Sequence, residues 1–543
     1  MTTFLSLNED VVFEICTYLT SMDAFHLALT SSRVYPFALP RALAHCTVPR
    51  EKTKRRVRRF RKFMSTPEPR LSRRLPIEYV RSLDLRYIRP DIDGIQSLNY
   101  VLGCAQGLQS LSLSHAHANL GNERLERPLS ILQRLTTLVL EGCGEITVLL
   151  VALDFPHAPL ENLSLHYTHE LADPDLQSFE PAWFIRQLLR FPSLRKLRLY
   201  NANSKTLGSQ PASFFDTLSA PGFPILPSIR HLDLHVEDHI LEALLAACRG
   251  LEHLSFHLTH FFTRFGFMSD AGPAWPSPLR SLTWNTDFGY GFEVPLDAAP
   301  RLPRARHFIL LNALRVQSRT YTVGDDGRGT HEALFVLGHV QPTALTVTVC
   351  LASAATDGAA AEAQEDEPTF FWSTLAGEAP RLRWLELTLD VRNAGQDLVP
   401  CLLAAVIALP KLVYLGLDVP PSPAISYADD RPFAGQPEIR KKLTFERSVE
   451  ALRAHTLAHV VHMAAVFLPG LRLLKLAHCR PRIWPETAVP EAETTDDDGM
   501  EEKSDRMISA LWGIAEGARR DAQWLRADGD EKRRFFPKTS IRK

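Results

Sequence analysis

The chain has 543 residues, 45% of them hydrophobic, and its 61 basic and 62 acidic side chains leave a formal charge of −1, which supplies no global field toward nucleic acid or a membrane surface. Eight cysteines are scattered without a CxxC pair or a spaced Cys/His set, which argues against a disulfide framework or structural zinc and for a reducing compartment, cytoplasmic or nuclear. The first residues lack a basic segment followed by a long apolar run, and no uncharged apolar stretch approaches the roughly 18 residues of a spanning helix, so neither secretion nor membrane insertion is expected.

Residues 1–48 form a helical motif by pattern. Leu7, Val11, Val12, Ile15 and Leu19 recur at helical spacing, and Asp23 is the expected cap of a second segment carrying Phe25, Leu27 and Leu29. The order Leu7, Asn8, Asp10, Val11, Val12, Ile15, Leu19, Asp23, Leu27, Leu29, Arg33, Tyr35 resembles an F-box, with Asn8 where that family usually has Pro and Asp10 where it has Glu. The resemblance implies binding to the Skp-type adaptor of a cullin-RING ubiquitin ligase through Leu7, Val11, Val12, Ile15, Leu19, Phe25, Leu27 and Leu29. A motif of this size has too small a core to be secure alone, so some of its apolar residues are expected to serve a partner. The alternative is that the helices cap one end of a repeat array, which would otherwise expose its core.

A basic linker, residues 49–76, follows. Between Arg50 and Arg74, 12 of 25 residues are Lys or Arg. This run reads either as a nuclear-localisation or polyanion-binding patch or as a solvated helix resting on the first repeat through Val57, Phe60 and Met64. It comes without an aromatic stacking platform or a recognised binding module, so nucleic acid is not assigned as a partner.

From residue 77 to 480 one pattern recurs eleven times: an aliphatic residue, two others, Leu, one other, then Leu, Phe or Trp. The copies begin at Val80, Leu108, Leu135, Leu160, Leu194, Ile229, Leu251, Leu279, Leu382, Leu412 and Leu471. Val80, Leu108, Leu135 and Leu160 are 28, 27 and 25 residues apart, within the roughly 20–29 of a leucine-rich repeat, and later spacings are longer. In an extended segment alternate residues share a face, so the last two apolar positions point one way and their neighbours the other. One repeat cannot bury its own apolar face, and stacking makes a continuous core. The expected fold is α/β: a short all-helical F-box, then an irregular leucine-rich-repeat solenoid with a parallel concave sheet and a helical or irregular convex side. Residues 93–104 and 237–248 fit convex helices. Cys143, Cys350 and Cys479 stand where such repeats bury Asn or Cys. ARHFIL (305–310) and PTALTV (342–347) read as degenerate strands between the eighth and ninth copies.

The concave positions are Ser82, Asp84, Arg86; Ser110, Ser112, Ser114; Thr137, Val139, Glu141; Asn162, Ser164, His166; Lys196, Arg198, Tyr200; His231, Asp233, His235; His253, Ser255, His257; and Ser281, Thr283, Asn285. His231 and His253 share a register, as do His235 and His257, which predicts imidazole pairs roughly 5 Å apart if those strands are neighbours. Such a patch suits a metal, or an acidic or phosphorylated ligand once the rings charge below about pH 6.5, or is an ordinary polar stripe. Lys196, Arg198, Tyr200, His231, His235, His253 and His257 are the expected substrate contacts, and no metal or other cofactor is assigned.

Insertions are expected near 355–370 and 420–442, an acidic disordered segment at 481–503, and a helix and tail at 504–543. His455, His459 and His462 read as a solvated helix face, and GDDGRGTH (324–331) as a surface turn without the Lys-Ser/Thr ending of a phosphate loop. No GxSxG elbow or nucleophile-base pair stands out, so no enzymatic activity is expected. The order of F-box, linker and repeats resembles a family of ubiquitin-ligase substrate receptors, which implies a protein substrate held by the repeats. The other reading is a protein-interaction scaffold outside any ligase.

Overall fold

The structure, a computed structural model, describes residues 7–47, 53–68, 75–86, 92–121, 123–144, 146–167, 181–202, 223–236, 238–258, 279–286, 304–317, 334, 336–352, 367–390, 405, 407–418, 459–460, 464 and 466–477. Outside them lie 324–331, 420–442, 481–543, Cys479, His455 and His462.

Three short helices open the chain: α1 (Glu9–Tyr18), α2 (Ser21–Thr30) and α3 (Tyr35–Leu43). Glu9 and Asp10 place negative charge in the first turn of α1, where the helix dipole favours it. The cap of α2 is Thr20, not the expected Asp23: the Thr20 hydroxyl oxygen accepts from the Asp23 amide at 3.1 Å, and Asp23 lies inside the first turn. Pro36 lies in the first turn of α3, and Arg41 Nε donates to the Leu19 carbonyl at 2.8 Å, fastening α3 to the end of α1. The core between the helices is made of Val12, Cys16, Ala28, Val34 and Ala38, with Leu7, Leu27, Tyr35 and Phe37 against it. Such small side chains let the helices approach closely but bury little apolar area.

The rest is a parallel α/β, solenoid-like stack in two compact units. The first carries β1 (His45–Thr47), α4 (Thr53–Ser65), β2 (Ser82–Leu85), α5 (Ile92–Cys104), β3 (Ser110–Leu113), α6 (Ala116–Asn119), α7 (Glu123–Ser130), β4 (Thr137–Cys143), α8 (Thr147–Asp154), β5 (Asn162–Tyr167), α9 (Pro181–Leu188), β6 (Lys196–Ala202), β7 (His231–Val236), a helix at Asp238–Ala247 and β8 (His253–Leu258). Each strand pairs in parallel with the next, so Leu83, Leu111, Leu138, Leu163, Leu197, Leu232 and Leu254 fall in one register. None of them, nor any of the preceding anchors Val80, Leu108, Leu135, Leu160, Leu194, Ile229 and Leu251, is more than 1% exposed. The alternation predicted from the repeats is therefore the packing rule of this unit. Helices pack side by side along the other layer, α4 on α5, α5 on α7, α7 on α8 and α8 on α9. The predicted basic linker thus contains a helix belonging to this layer, with Met64 buried.

A regular hydrogen-bond column marks where each strand begins. The carbonyls of Ala44, Arg81, Gln109, Thr136, Glu161, Arg195 and Arg230 each accept two amides from the following strand, at 2.8–3.0 Å. Because this column uses only backbone, it persists although the returns between strands differ in length.

The second unit carries β9 (Leu279–Thr286), β10 (Ala305–Gln317), β11 (Ala344–Ala352), a helix at Glu367–Glu378, β12 (Trp384–Asp390), β13 (Tyr414–Asp418) and β14 (Leu473–Ala477). These pair in order, and Leu282, Phe308, Leu345, Leu385, Leu415 and Leu474 share a register. The two degenerate segments are strands, as their pattern predicts. The predicted 77–480 repeat domain is divided between the two units, and the helix at Glu367–Glu378 begins inside the insertion expected near 355–370.

One buried carboxylate in the first unit gives a pH-dependent prediction. Asp154, at the end of α8, accepts from the Gly121 amide at 2.9 Å, and Gly121 has a φ of 69°. Burial raises its carboxyl above the ordinary range and Glu126 adds to the rise, while the Gly121 bond opposes it. A carboxyl raised on folding favours the native state in its protonated form, and that contribution is lost as pH climbs through the folded pKa. Asp154→Asn keeps an acceptor for Gly121 without the charge. It is expected to raise the melting temperature at pH 7.5, with the gain shrinking toward pH 4; an unchanged or lower value at pH 7.5 would contradict the assignment.

Candidate functional site

Two surfaces of the first unit combine exposure with organised chemistry. On α1 and α2, Val11, Ile15 and Tyr18 form one stripe at helical spacing, and Met22, Phe25 and Leu29 form another. Val11, Phe13, Tyr18, Met22, Phe25 and Leu29 are all exposed, Tyr18 to 80% and Leu29 to 67%. The residues expected to meet an adaptor differ in exposure. Val12 is only 6% exposed and belongs to the helical core, while Leu7 and Leu27 pack on that core. Ile15 and Leu19 are half-buried, and Val11, Phe25 and Leu29 are open to solvent. Phe13, Tyr18 and Met22 were not among the expected residues, although Tyr18 stands seven residues from Val11 and Met22 seven from Leu29, a helical spacing that carried the signal.

The second surface is the face of the sheet opposite the described helix layer, and it starts with an ionic cluster. Arg86 Nε and Nη2 bind the Asp84 carboxylate, and Nη1 reaches Glu141 Oε1 at 3.1 Å. The reach crosses β3, whose residues in register with Ser82 and Asp84 are Ser110 and Ser112. Gly142 then turns the chain with a φ of 71°, and Cys143 is buried behind it, its thiol raised to about 12 by desolvation. Burial also raises Cys248 to about 12, so neither is an activated nucleophile.

Farther along come three columns of side chains. The first holds Asn162, Lys196, His231 and His253 in register. The His231 and His253 rings stack 4.3 Å apart at 3°, matching the separation predicted from strand spacing. The second column is Ser164, Arg198, Asp233 and Ser255. Arg198 Nε lies 3.4 Å from Asp233 Oδ2, and the Tyr200 hydroxyl donates to the same oxygen at 3.3 Å. The third is His166, Tyr200 and His235, whose rings form a ladder with centroids 4.2 and 4.4 Å apart. Burial holds the His166 ring below its ordinary pKa, which keeps it neutral near physiological pH. The described register between β7 and β8 runs as far as Leu234 and Phe256, and the side chain of His257 lies outside the described ones. Six of the seven expected substrate contacts are therefore assembled on this face: Lys196, Arg198, Tyr200, His231, His235 and His253.

No family model matches the chain, and no curated protein matches it either. The site has to be read from its own chemistry. Among the described residues no group of three His, Cys, Asp or Glu side chains is placed to hold a metal ion. Also among them, no helix is long and apolar enough to cross a membrane.

The second unit holds a network that the sequence did not single out. Glu386 on β12 accepts from the Tyr414 hydroxyl at 3.0 Å, from Lys475 Nζ at 3.3 Å and from Thr346 Oγ1 at 3.5 Å, and His307 Nε2 lies 2.9 Å from Thr346 Oγ1. Gly416 stands in register between Glu386 and Lys475. A Cβ there would come within 2.9 Å of the Tyr414 hydroxyl and 3.1 Å of Glu386 Cγ, so the missing side chain is what lets Tyr414 and Lys475 reach the carboxylate. The Trp384 ring stacks on Tyr414 at 3.4 Å.

Proposed function

We propose that the protein is the substrate-recognition subunit of a Skp-cullin-F-box type ubiquitin ligase, acting by binding alone in the cytoplasm or nucleus. Its N-terminal helices take the Skp-type adaptor, and a leucine-rich-repeat stack takes a protein substrate on its polar face. The observation that carries the reading is the pair of exposed apolar stripes on α1 and α2, on helices whose sequence resembles an F-box. Six large apolar side chains open to water within 19 residues are the mark of a surface that meets a partner. The polar face supports the second half: charged and aromatic groups sit there on strands held in register.

The test is co-purification of the intact chain with a Skp-type adaptor, against Phe25→Asp combined with Leu29→Asp. Both positions are surface sites, so the fold should survive, and circular dichroism checks that it does. Stoichiometric capture by the parent and loss of capture by the variant are expected. No capture by the parent would overturn the ligase reading. One observation favours a second reading, a repeat scaffold capped by its N-terminal helices: α3 packs against β1 and the turn at Pro76–Tyr79, at the first strand of the stack.

A further inference from the structure

Resting on the reading of the polar face as a partner-binding surface, the chemistry of that partner follows from a charge count. On this face Asp84, Glu141 and Asp233 each already lie against a cation. Asp84 and Glu141 bind Arg86, and Asp233 binds Arg198 and Tyr200. Lys196 stands in the middle of this face, half-buried, and among the described residues its ammonium makes no hydrogen bond or ion pair. Desolvation lowers its pKa and nearby Arg198 lowers it further, while Asp233 offsets part of the effect. A partly desolvated ammonium without a counter-ion is unfavourable, and an incoming anion relieves that cost.

The surroundings suit an anion that carries its own acceptors. On one side Asn162 is held by its donation to Thr137 Oγ1 at 3.1 Å. On the other side, in register with Lys196, stands the His231–His253 stack, and imidazole nitrogens that carry hydrogen are donors. We propose that Asn162, Lys196, His231 and His253 form a subsite for an anionic side chain of the partner protein, a carboxylate or a phosphate ester. Lys196 neutralises the anion, and the backbone register fixes its distance from the Arg198–Asp233 pair and the Tyr200 ladder.

Fluorescence anisotropy on the full chain tests the subsite with three labelled hexapeptides: hexaglutamate, hexaglutamine, and hexaglutamine with one central phosphoserine. The cations of α4 also attract polyanions, so every titration is repeated in an Arg59→Gln, Arg61→Gln, Lys62→Gln background. In that background one or both anionic peptides should bind at least about tenfold more tightly than hexaglutamine, and Lys196→Gln should remove the difference while Lys196→Arg largely keeps it. Stronger binding of hexaglutamate assigns a carboxylate ligand, and stronger binding of the phosphopeptide assigns a phosphate ester. Equal binding of all three peptides, or a Lys196→Gln variant within twofold of its parent, overturns the subsite. Adaptor capture is read in a separate experiment, so its failure leaves this result standing.

Discussion

Trp284→Ala is expected to destabilise the second unit by about 3–5 kcal/mol, the range for emptying a fully buried aromatic site. Trp284 occupies the last apolar position of its repeat, where most copies carry Leu, and it is completely buried. Its ring meets Phe308 edge-on at 6.4 Å, one strand away. Truncation removes that contact and leaves a void that parallel strands, fixed by their backbone ladder, cannot close. Trp284→Phe should cost much less, because it keeps an aromatic group facing Phe308. Hydrogen exchange followed by mass spectrometry reads the effect locally: amides of β9, β10 and β11 should lose protection in Trp284→Ala. Unchanged protection of those strands would mean that the site is not packed as described.

Gly142→Ala should cost about 2–3 kcal/mol, through backbone rather than core. With a φ of 71°, a non-glycine residue here pays roughly 1–2 kcal/mol for the left-handed conformation alone. The added methyl would also lie 3.2 Å from the Cα and amide nitrogen of His115, atoms that cannot rotate aside. Relief requires the end of β4 to move, and Glu141 moves with it, so the Arg86 cluster should loosen as well. Gly144→Ala, whose methyl would meet only the His117 side chain at 3.7 Å, is the matched control and should be near neutral. Chemical denaturation of the two variants side by side measures the difference, and equal midpoints would refute the strain argument.

How far the sequence could be read depended on whether an interaction leaves a period. The strand anchors do, since burial on one face of a pleated segment imposes alternation, and even the two degenerate strands at 305–310 and 342–347 were legible this way. The histidine pair His231–His253 was legible for the same reason: equal offsets from equal anchors become lateral neighbours. The N-terminal helices were legible as helices but not in which face is buried. Their core rests on Cys16, Ala24, Ala28 and Ala38, small residues that a hydrophobic pattern underweights, so the burial of Val12 and the exposure of Tyr18 were not legible. The Glu386 network left no period at all, because Lys475 reaches it from 89 positions away across an empty glycine site. The division into two units was equally hidden, since the repeat pattern runs on through it.

The column of doubly bonded carbonyls has a mechanical consequence. Every lateral bond in it joins one strand to the next, so a pull that separates the first unit's terminal strand from its neighbour loads the β7–β8 pairing, including the rung from Arg230 to the amides of Glu252 and His253, before the pairings behind it. Extension should therefore proceed as a sawtooth, one tooth per strand, with each tooth's length set by the contour of the return released. Because the returns are unequal, the order of released lengths would report from which end the unit unzips.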